Sequence, residues 1–221
     1  MRVVLFGATG MVGQGALREC LLDERVDAVL AVGRSPLGET HPKLTERVEP
    51  DLFALEPITG YDVCLFCLGV SSVGMAPAEY ERITYELTLS VARKLPEGTT
   101  FVYVSGHGTD STERGRVRWA RVKGATENAL AKLPLRTFAV RPGYIQPRHG
   151  ITSKTTLYRT LYRVAMPLYP LLRRLFPGSV TTNEELGRAM LEIAENGHEK
   201  PVLENPDIVT AAARRGRPAG S

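Results

Sequence analysis

Residues 2–13 of the chain read RVVLFGATGMVG. The apolar run over residues 2–6 has the length of a buried strand, and it leads into a turn with glycine at positions 7, 10 and 13. Helical spacing follows over residues 14–22. Such a unit cradles a pyrophosphate, because glycine lets the backbone approach the ligand and the helix N-terminus offers free N–H donors. We therefore predict a dinucleotide-binding turn, against the alternative of a glycine-rich turn without a ligand. The residues expected to form this site are Gly7, Thr9, Gly10, Met11, Val12 and Gly13.

Short apolar runs alternate with stretches of helical spacing along the rest of the chain. This alternation is typical of a parallel sheet whose two faces are both covered by crossover helices. The sequence therefore predicts an α/β protein with a Rossmann-type doubly wound parallel sheet and a small C-terminal helical extension. The predicted strands are 2–6, 28–32, 45–49, 63–68, 100–104, 137–140 and 201–203, and the predicted helices are 14–22, 77–95, 118–133 and 183–196.

The amino-acid composition changes from residue 151 onward. Residues 154–176 are basic and aromatic, with Pro167 and Pro170 interrupting any helix. We interpret this part of a substrate-side segment, about residues 147–182, as a lid or wall. An amphipathic piece at a membrane surface or a dimer contact are the alternatives. Residues 183–196 predict a helix that Thr182 or Asn183 caps and Gly197 ends.

Composition and charge limit the classes of protein to which the chain can belong. Hydrophobic residues make up 43% and charged residues 24% of the 221 residues, as in a soluble globular domain. The net charge is +4, but the stretch 211–221 carries Arg214, Arg215 and Arg217 and no acid. Without these three, residues 1–210 hold 25 basic and 24 acidic residues. This nearly balanced charge does not indicate that residues 1–210 bind nucleic acid. We expect one domain over residues 1–210, as a monomer or homodimer, and a disordered basic tail.

The cysteines and histidines do not predict a metal site. Cys64 and Cys67 form a C-x-x-C within a strand-like run, where positions i and i+3 point to opposite faces. The four histidines lie at positions 41, 107, 149 and 198, without ligand spacing. No membrane-length apolar run and no signal-peptide core are present, so we expect a cytoplasmic protein with reduced thiols.

The end of the second predicted strand indicates which dinucleotide is bound. An NAD site places Asp or Glu about 20 residues beyond the last glycine, on the ribose hydroxyls. This chain has Gly33-Arg34-Ser35 there. Arg34 and Ser35 suit a 2′-phosphate, so we predict NADP in preference to NAD. A solvated arginine in a turn is the alternative.

Four motifs together resemble the short-chain dehydrogenase/reductase superfamily. They are the GATGMVG turn at residues 7–13, VGRS at 32–35, Asp51-Leu52 after the third strand and Cys67-Leu68-Gly69 after the fourth. More narrowly, the chain is similar to epimerase/dehydratase-like NAD(P)H-binding proteins, to which the Tat-interacting oxidoreductase-like protein is related. The likeness covers residues 1–146 with specific motifs and the remainder of the chain more loosely. It implies that Asp51 and Leu52 contact adenine and that the backbone of residues 67–69 lines the adenosine ribose. The residues it places against the nicotinamide are Pro142, Gly143, Tyr144 and Ile145.

The same resemblance implies a catalytic set from which this sequence departs. Ser105 matches the family serine, and Lys123 matches the lysine that ends Tyr-x-x-x-Lys and binds the nicotinamide ribose. Trp119 occupies the position of the tyrosine, and its indole N–H donates a hydrogen bond but releases no proton near neutral pH. Thr84 stands where many relatives have asparagine.

Three other residues are candidates for the missing proton donor. His107 follows Ser105 in the loop expected at the nicotinamide, Tyr144 follows the sixth strand, and His149 is a weaker candidate. The sequence thus predicts an NADP-binding oxidoreductase or epimerase-type protein acting on a small carbonyl or hydroxyl substrate. A dinucleotide-loaded regulator or scaffold without turnover is the alternative, because Trp119 replaces the tyrosine.

Overall fold

The computed structural model describes residues 1–150, 174 and 178–216. Apart from Arg174, the predicted lid over residues 154–176 lies outside the described residues. The strands are β1 (Arg2–Phe6), β2 (Ala28–Gly33), β3 (Leu44–Val48), β4 (Val63–Phe66), β5 (Thr100–Val104), β6 (Arg136–Arg141), β7 (Tyr144–Gln146), β8 (Val180–Thr182) and β9 (Val202–Glu204). The helices are α1 (Met11–Leu22), α2 (Pro77–Glu81), α3 (Leu87–Ala92), α4 (Arg118–Leu130), α5 (Asn183–Asn196) and α6 (Asn205–Arg215). A 3-10 turn covers Leu52–Ala54, and a π turn over Arg82–Glu86 joins α2 to α3.

Within the described ranges, seven strands form one parallel sheet in the order β3-β2-β1-β4-β5-β6-β9. The predicted Rossmann-type doubly wound sheet is therefore confirmed. Strand order reverses between β1 and β4, which makes the carboxyl ends of these two strands the topological switch point. A separate parallel pair, β7 and β8, lies beyond the end of β6. The fold thus brings the loops after β1, β2, β4, β5 and β6 to one edge of the sheet.

Both faces of the sheet are buried, which explains why its strands read as continuous apolar runs. Val3 and Leu5 of β1 pack in the core under α1, α5 and α6, whereas Val4 and Phe6 pack in the core on the side of α3 and α4. None of these four side chains is exposed to solvent. Each contributes about 1.5–3 kcal/mol through burial. Cys64 and Cys67 contact opposite cores, as their spacing predicted.

The helix ends follow the local sequence. Thr182 caps α5 through a hydrogen bond from the backbone N–H of Glu185, and the Glu185 carboxylate accepts from the backbone N–H of Thr182. Gly197 ends α5 with a φ of 73°. The bounds predicted for this helix are confirmed. In contrast, the predicted single helix over 77–95 is interrupted by the π turn. None of the helices within the described residues is long and apolar enough to cross a bilayer.

The expected disordered tail from residue 211 is wrong for residues 211–215, which are the last turns of α6. Arg215 is almost fully buried, with 1% of its side chain exposed. Its Nε donates to Asp23 at 2.7 Å, and its Nη1 donates to the Leu191 carbonyl at 3.1 Å and to Glu195. Sequence reasoning counted this arginine as a free tail cation because its partners are distant in the chain.

We predict that Arg215→Ala lowers the free energy of unfolding by about 1.5–3 kcal/mol, because the half-buried Asp23 carboxylate loses a charge-assisted hydrogen bond. Burial alone would raise the pKa of Asp23, but hydrogen bonds from Arg25 and Arg215 hold it well below the ordinary value of 3.8. The stabilisation is therefore complete above that pH and is lost as the pH falls below it. Urea unfolding at pH 7 and at pH 3 measures both effects. Arg214→Ala, at an exposed neighbour, is the control. Equal unfolding energies for the two variants at pH 7 would contradict the assignment.

Candidate functional site at the carboxyl edge of the sheet

The glycine turn after β1 depends on contacts that tolerate no side chain. Gly7 has a φ of +81°, and a Cβ on it would lie 2.7 Å from the carbonyl carbon of Cys67. A Cβ on Gly13 would lie 2.0 Å from the Gly7 carbonyl oxygen. The turn therefore lies against β4 on one side and α1 on the other. Gly10 caps α1 without a side-chain hydrogen bond, and the first turn of α1 contains no acidic residue. The positive helix end is thus free for an anion.

A cavity of about 610 Å³ opens over this turn at the switch point. Its walls come from the glycine turn, from the ends of β2, β3 and β4, and from the π turn. The predicted dinucleotide residues that line it are Gly7, Thr9, Gly10, Met11, Arg34, Ser35, Asp51, Leu52, Cys67, Leu68 and Gly69. Val12 and Gly13 lie behind the turn, in α1. The structure therefore brings one group of predicted residues together around a space that suits half of a dinucleotide.

Three arginines line the cavity, and one of them, Arg47, lies 3.8 Å from the Glu49 carboxylate. Arg34 has no acidic partner among the described residues, and Arg47 and Arg82 line the same walls. Two of the acidic residues there bind backbone groups, since Glu46 accepts from the Leu37 N–H at 2.8 Å and Asp51 from the Phe53 N–H at 3.0 Å. No carboxylate occupies the end of β2. Arg34 therefore places a cation at the end of β2, in a wall that also contains the carboxylates of Glu46, Asp51 and Glu79.

Cys67 lies beside this cavity without a reactive thiolate. Burial raises the pKa of its thiol well above the usual range, and its backbone N–H donates to the Phe6 carbonyl at 3.0 Å. Its role at the site is therefore steric, through the backbone that contacts Gly7.

The hydroxyl of Ser105, after β5, is engaged within its own loop. Ser105 Oγ lies 3.0 Å from Thr109 Oγ1, and Thr109 Oγ1 lies 2.8 Å from the Gly106 carbonyl oxygen. Either hydroxyl can be the donor in the contact between Ser105 and Thr109, because the Gly106 carbonyl also accepts from the Thr109 backbone N–H at 3.2 Å. Ser105 and Thr109 therefore form a hydroxyl pair within the loop after β5. Thr109 was not predicted from the sequence, because no motif marks a threonine four residues after Ser105.

Lys123 lies directly beside this loop. Its Nζ donates to the carbonyl of Ser105 at 3.1 Å and to that of Val104 at 3.5 Å, and it lies 5.4 Å from the centre of the Tyr103 ring. Burial lowers the pKa of Lys123 to about 8, although the negative charge of Glu127 acts in the opposite direction. The Lys123 ammonium can therefore release its proton near physiological pH, whereas an ordinary lysine stays protonated there.

The other candidate proton donors have partners elsewhere. His107 is exposed, with its Nδ1 3.7 Å from Glu204, and the Tyr144 hydroxyl donates to Gln146 Oε1 at 2.9 Å. His149 pairs with Glu184 at 3.2 Å, at the start of α5. Trp119 is half-buried, and its ring packs beside Gly108 in the loop after β5. Trp119 therefore lies beside the loop that also carries Ser105 and His107.

The loop after β6 is tied to the loop after β5. The His107 N–H donates to the Pro142 carbonyl at 3.0 Å, and the Gly143 N–H donates to Asn205 at 3.0 Å. Residues 142–145, predicted to face a nicotinamide, therefore lie next to Ser105 at the carboxyl edge, with Ile145 packed against the core. Together with Lys123, they form a second group of predicted residues, separate from those lining the cavity.

A buried ion-pair network that sequence reasoning missed supports this second group. Arg141, at the end of β6, donates through Nε to Glu127 at 3.0 Å and through Nη1 to Glu204 at 3.1 Å. Its Nη2 also reaches the Ser111 hydroxyl. Glu127 lies one turn after Lys123 on α4, so helical spacing alone could have indicated a shared face. Arg141 satisfies Glu127, which leaves Lys123 without a carboxylate at hydrogen-bond distance among the described residues.

Comparison with known proteins shows the fold. A short-chain dehydrogenase family protein from Francisella tularensis matches with a TM-score of 0.61 at 14% identity, over 92% of this chain and 95% of that one. BdcA, solved with NADPH, matches with a TM-score of 0.56 at 13% identity, over 92% and 91% of the two chains. WbmH from Bordetella bronchiseptica, solved with NAD+, matches with a TM-score of 0.56 at 16% identity, over 88% and 72%. No protein-family model and no curated protein matches the sequence. The chain therefore has the fold of short-chain dehydrogenase/reductase structures, and the resemblance stated from its motifs is confirmed at that level.

We predict that the ammonium of Lys123 titrates with a midpoint near pH 8, because burial disfavours its charged form. The measurement is the 13Cε chemical shift of lysine against pH in isotopically labelled protein. The resonance is assigned by its loss in Lys123→Arg. A midpoint above pH 10 would show that water reaches Nζ freely and would contradict the burial described here.

Proposed function

We propose that the chain is an NADP-binding oxidoreductase or epimerase-type protein of the short-chain dehydrogenase/reductase superfamily, acting on a small carbonyl or hydroxyl substrate. The observation that carries this proposal is the glycine turn at the switch point, where a Cβ on Gly7 or Gly13 would collide with the backbone of Cys67 or Gly7. Structures of this fold solved with NADPH or NAD+ support a nicotinamide dinucleotide. The nicotinamide ring of such a cofactor gives or accepts a hydride when it is bound.

The residues around Ser105 supply hydrogen bonds and a proton to the substrate. Ser105 Oγ donates a hydrogen bond to a carbonyl substrate or accepts one from a hydroxyl substrate, and Trp119 Nε1–H donates one or orients the substrate by stacking. Lys123 Nζ holds the proton that a developing alkoxide needs. Pro142, Gly143 and Ile145 wall the nicotinamide end, while Tyr144 closes the same loop. His107 and His149 keep their carboxylate partners at the rim.

A second candidate function is a dinucleotide-loaded regulator or scaffold without turnover. One observation favours it: Trp119 stands at the position of the tyrosine and releases no proton near neutral pH. In this case, the cavity would bind the cofactor as a ligand that stabilises the fold.

We predict that the wild-type protein oxidises NADPH with at least one member of a panel of aldehydes, ketones and quinones. Lys123→Met should lower the rate by about 10²-fold, because it removes the proton at Nζ. Lys132→Met, at an exposed position beyond α4, is the matched control. Activity that is absent from wild type and arises only in Trp119→Tyr would exclude the enzyme and support the regulator.

We also propose that Arg34 and Ser35 select NADP by holding its 2′-phosphate. Arg34→Gln should weaken NADPH binding by at least about tenfold and leave NADH binding nearly unchanged, because only NADPH loses a charge-assisted hydrogen bond. Isothermal titration calorimetry with both dinucleotides measures the ratio of the two dissociation constants. Arg93→Gln, at an exposed arginine outside the cavity, is the control. A ratio that stays the same in Arg34→Gln would contradict this role.

A further inference from the structure

A buried threonine in the loop after β5 contacts the side chain of Ser105. Thr109 Oγ1 lies 3.0 Å from Ser105 Oγ, and both residues are buried. Thr109 Oγ1 also lies within hydrogen-bond distance of the Gly106 carbonyl oxygen, at 2.8 Å. The Thr109 hydroxyl is therefore held between the backbone of the loop and the hydroxyl of Ser105.

The backbone around Thr109 is fixed by its own turn and by the packing of the loop on α4. The Thr109 N–H donates to the Gly106 carbonyl at 3.2 Å, and the N–H of Asp110 donates to the Ala120 carbonyl at 3.1 Å. Gly124 allows the loop to lie this close to α4, because a Cβ there would overlap the Asp110 carbonyl oxygen. The loop thus sets the position of Thr109 without help from the Thr109 side chain.

Ser105 is fixed through its backbone, whereas its hydroxyl depends on Thr109. The Ser105 N–H donates to the Val140 carbonyl at 2.9 Å, and the Ser105 carbonyl accepts from Lys123 Nζ at 3.1 Å. Among the described residues, Thr109 Oγ1 is the one hydrogen-bond partner of Ser105 Oγ. A serine hydroxyl has three staggered orientations about χ1, and contact with a fixed hydroxyl favours one of them.

We propose that Thr109 is a positioning residue, which holds Ser105 Oγ in one orientation for the substrate. This inference rests on the proposed function, in which Ser105 Oγ binds the carbonyl or hydroxyl group of the substrate. A hydroxyl that is already oriented in the free protein does not have to be ordered when the substrate binds. Thr109 therefore acts on the substrate through Ser105 and does not itself touch it.

The hydroxyl pair suits both directions of an oxidoreductase reaction. When Ser105 donates to a carbonyl, Thr109 can donate to Ser105 Oγ. When Ser105 accepts from a hydroxyl, it can donate to Thr109, which then donates to the Gly106 carbonyl. The Gly106 carbonyl keeps the Thr109 backbone N–H as a donor in both arrangements. No buried group therefore loses its last partner when the direction of the hydrogen bond reverses.

We predict that Thr109→Val lowers kcat about tenfold with a substrate from the carbonyl panel, because valine keeps the shape of threonine but lacks the hydroxyl. The dissociation constant of NADPH should stay unchanged, since Thr109 does not line the cavity. Thr109→Ser keeps the hydroxyl and should return kcat to within about twofold of wild type. Thr88→Val is the matched control, because the buried Thr88 hydroxyl donates to the Thr84 carbonyl at 2.7 Å, away from Ser105.

A double-mutant cycle with Ser105→Ala separates positioning from a general structural role. If Thr109 acts through Ser105, Thr109→Val lowers kcat no further in the Ser105→Ala background. Damage to the loop as a whole would lower kcat in both backgrounds. Equal losses in the two backgrounds, or a wild-type kcat in Thr109→Val, would overturn the proposal. Thermal unfolding checks that the variants are folded, and Thr109→Ala replaces Thr109→Val if the valine variant is not.

The orientation of Ser105 can be measured without turnover. The Hα–Hβ couplings of Ser105 in isotopically labelled protein should report one χ1 orientation in wild type and an average over several in Thr109→Val. Unchanged couplings would overturn the positioning role even in an active enzyme. If wild type oxidises NADPH with no member of the panel, the proposed enzyme function fails. The couplings then still decide whether Thr109 orients Ser105.

Discussion

The close approach of three backbone segments at the glycine turn is the constraint on which the rest of the structure depends. The turn after β1 touches the start of the loop after β4, and α1 begins directly against it, with no room for a Cβ on Gly7 or Gly13. This contact sets the position of α1 and of the switch point between β1 and β4. The cavity, its arginines and the loop that carries Cys67 are all arranged around it.

A second constraint operates further along the edge, where charges are buried. Arg141 joins α4 to the ends of β6 and β9 through Glu127 and Glu204. Glu127 also favours the charged form of Lys123, but burial opposes it more strongly and brings the pKa of Lys123 to about 8. One carboxylate thus binds Arg141 and also influences the charge on Lys123.

Much of the fold followed from local patterns. The two sides of β1 and the bounds of α5 were predictable, because burial on both faces and helix capping act over a few residues. The cavity-lining residues were also predictable, since the loops after parallel strands must meet at one edge. Arg215 was misread because its partners are about 20 to 190 positions away, and no local signal marks such a pair. The π turn escaped prediction for a related reason, because the helical spacing of residues 77–95 continues through it.

The sequence by itself determined the strand–turn–helix unit, the parallel sheet and the residue types at each loop, because these depend on spacing and on glycine. Only the tertiary structure decided how those residues are used. It paired the Ser105 hydroxyl with that of Thr109, placed His107 3.7 Å from Glu204 and set Arg82 over the Phe53 ring. Hydrogen-bond direction, burial and stacking depend on atoms that the fold brings together from distant positions, so they cannot be read from the order of residues.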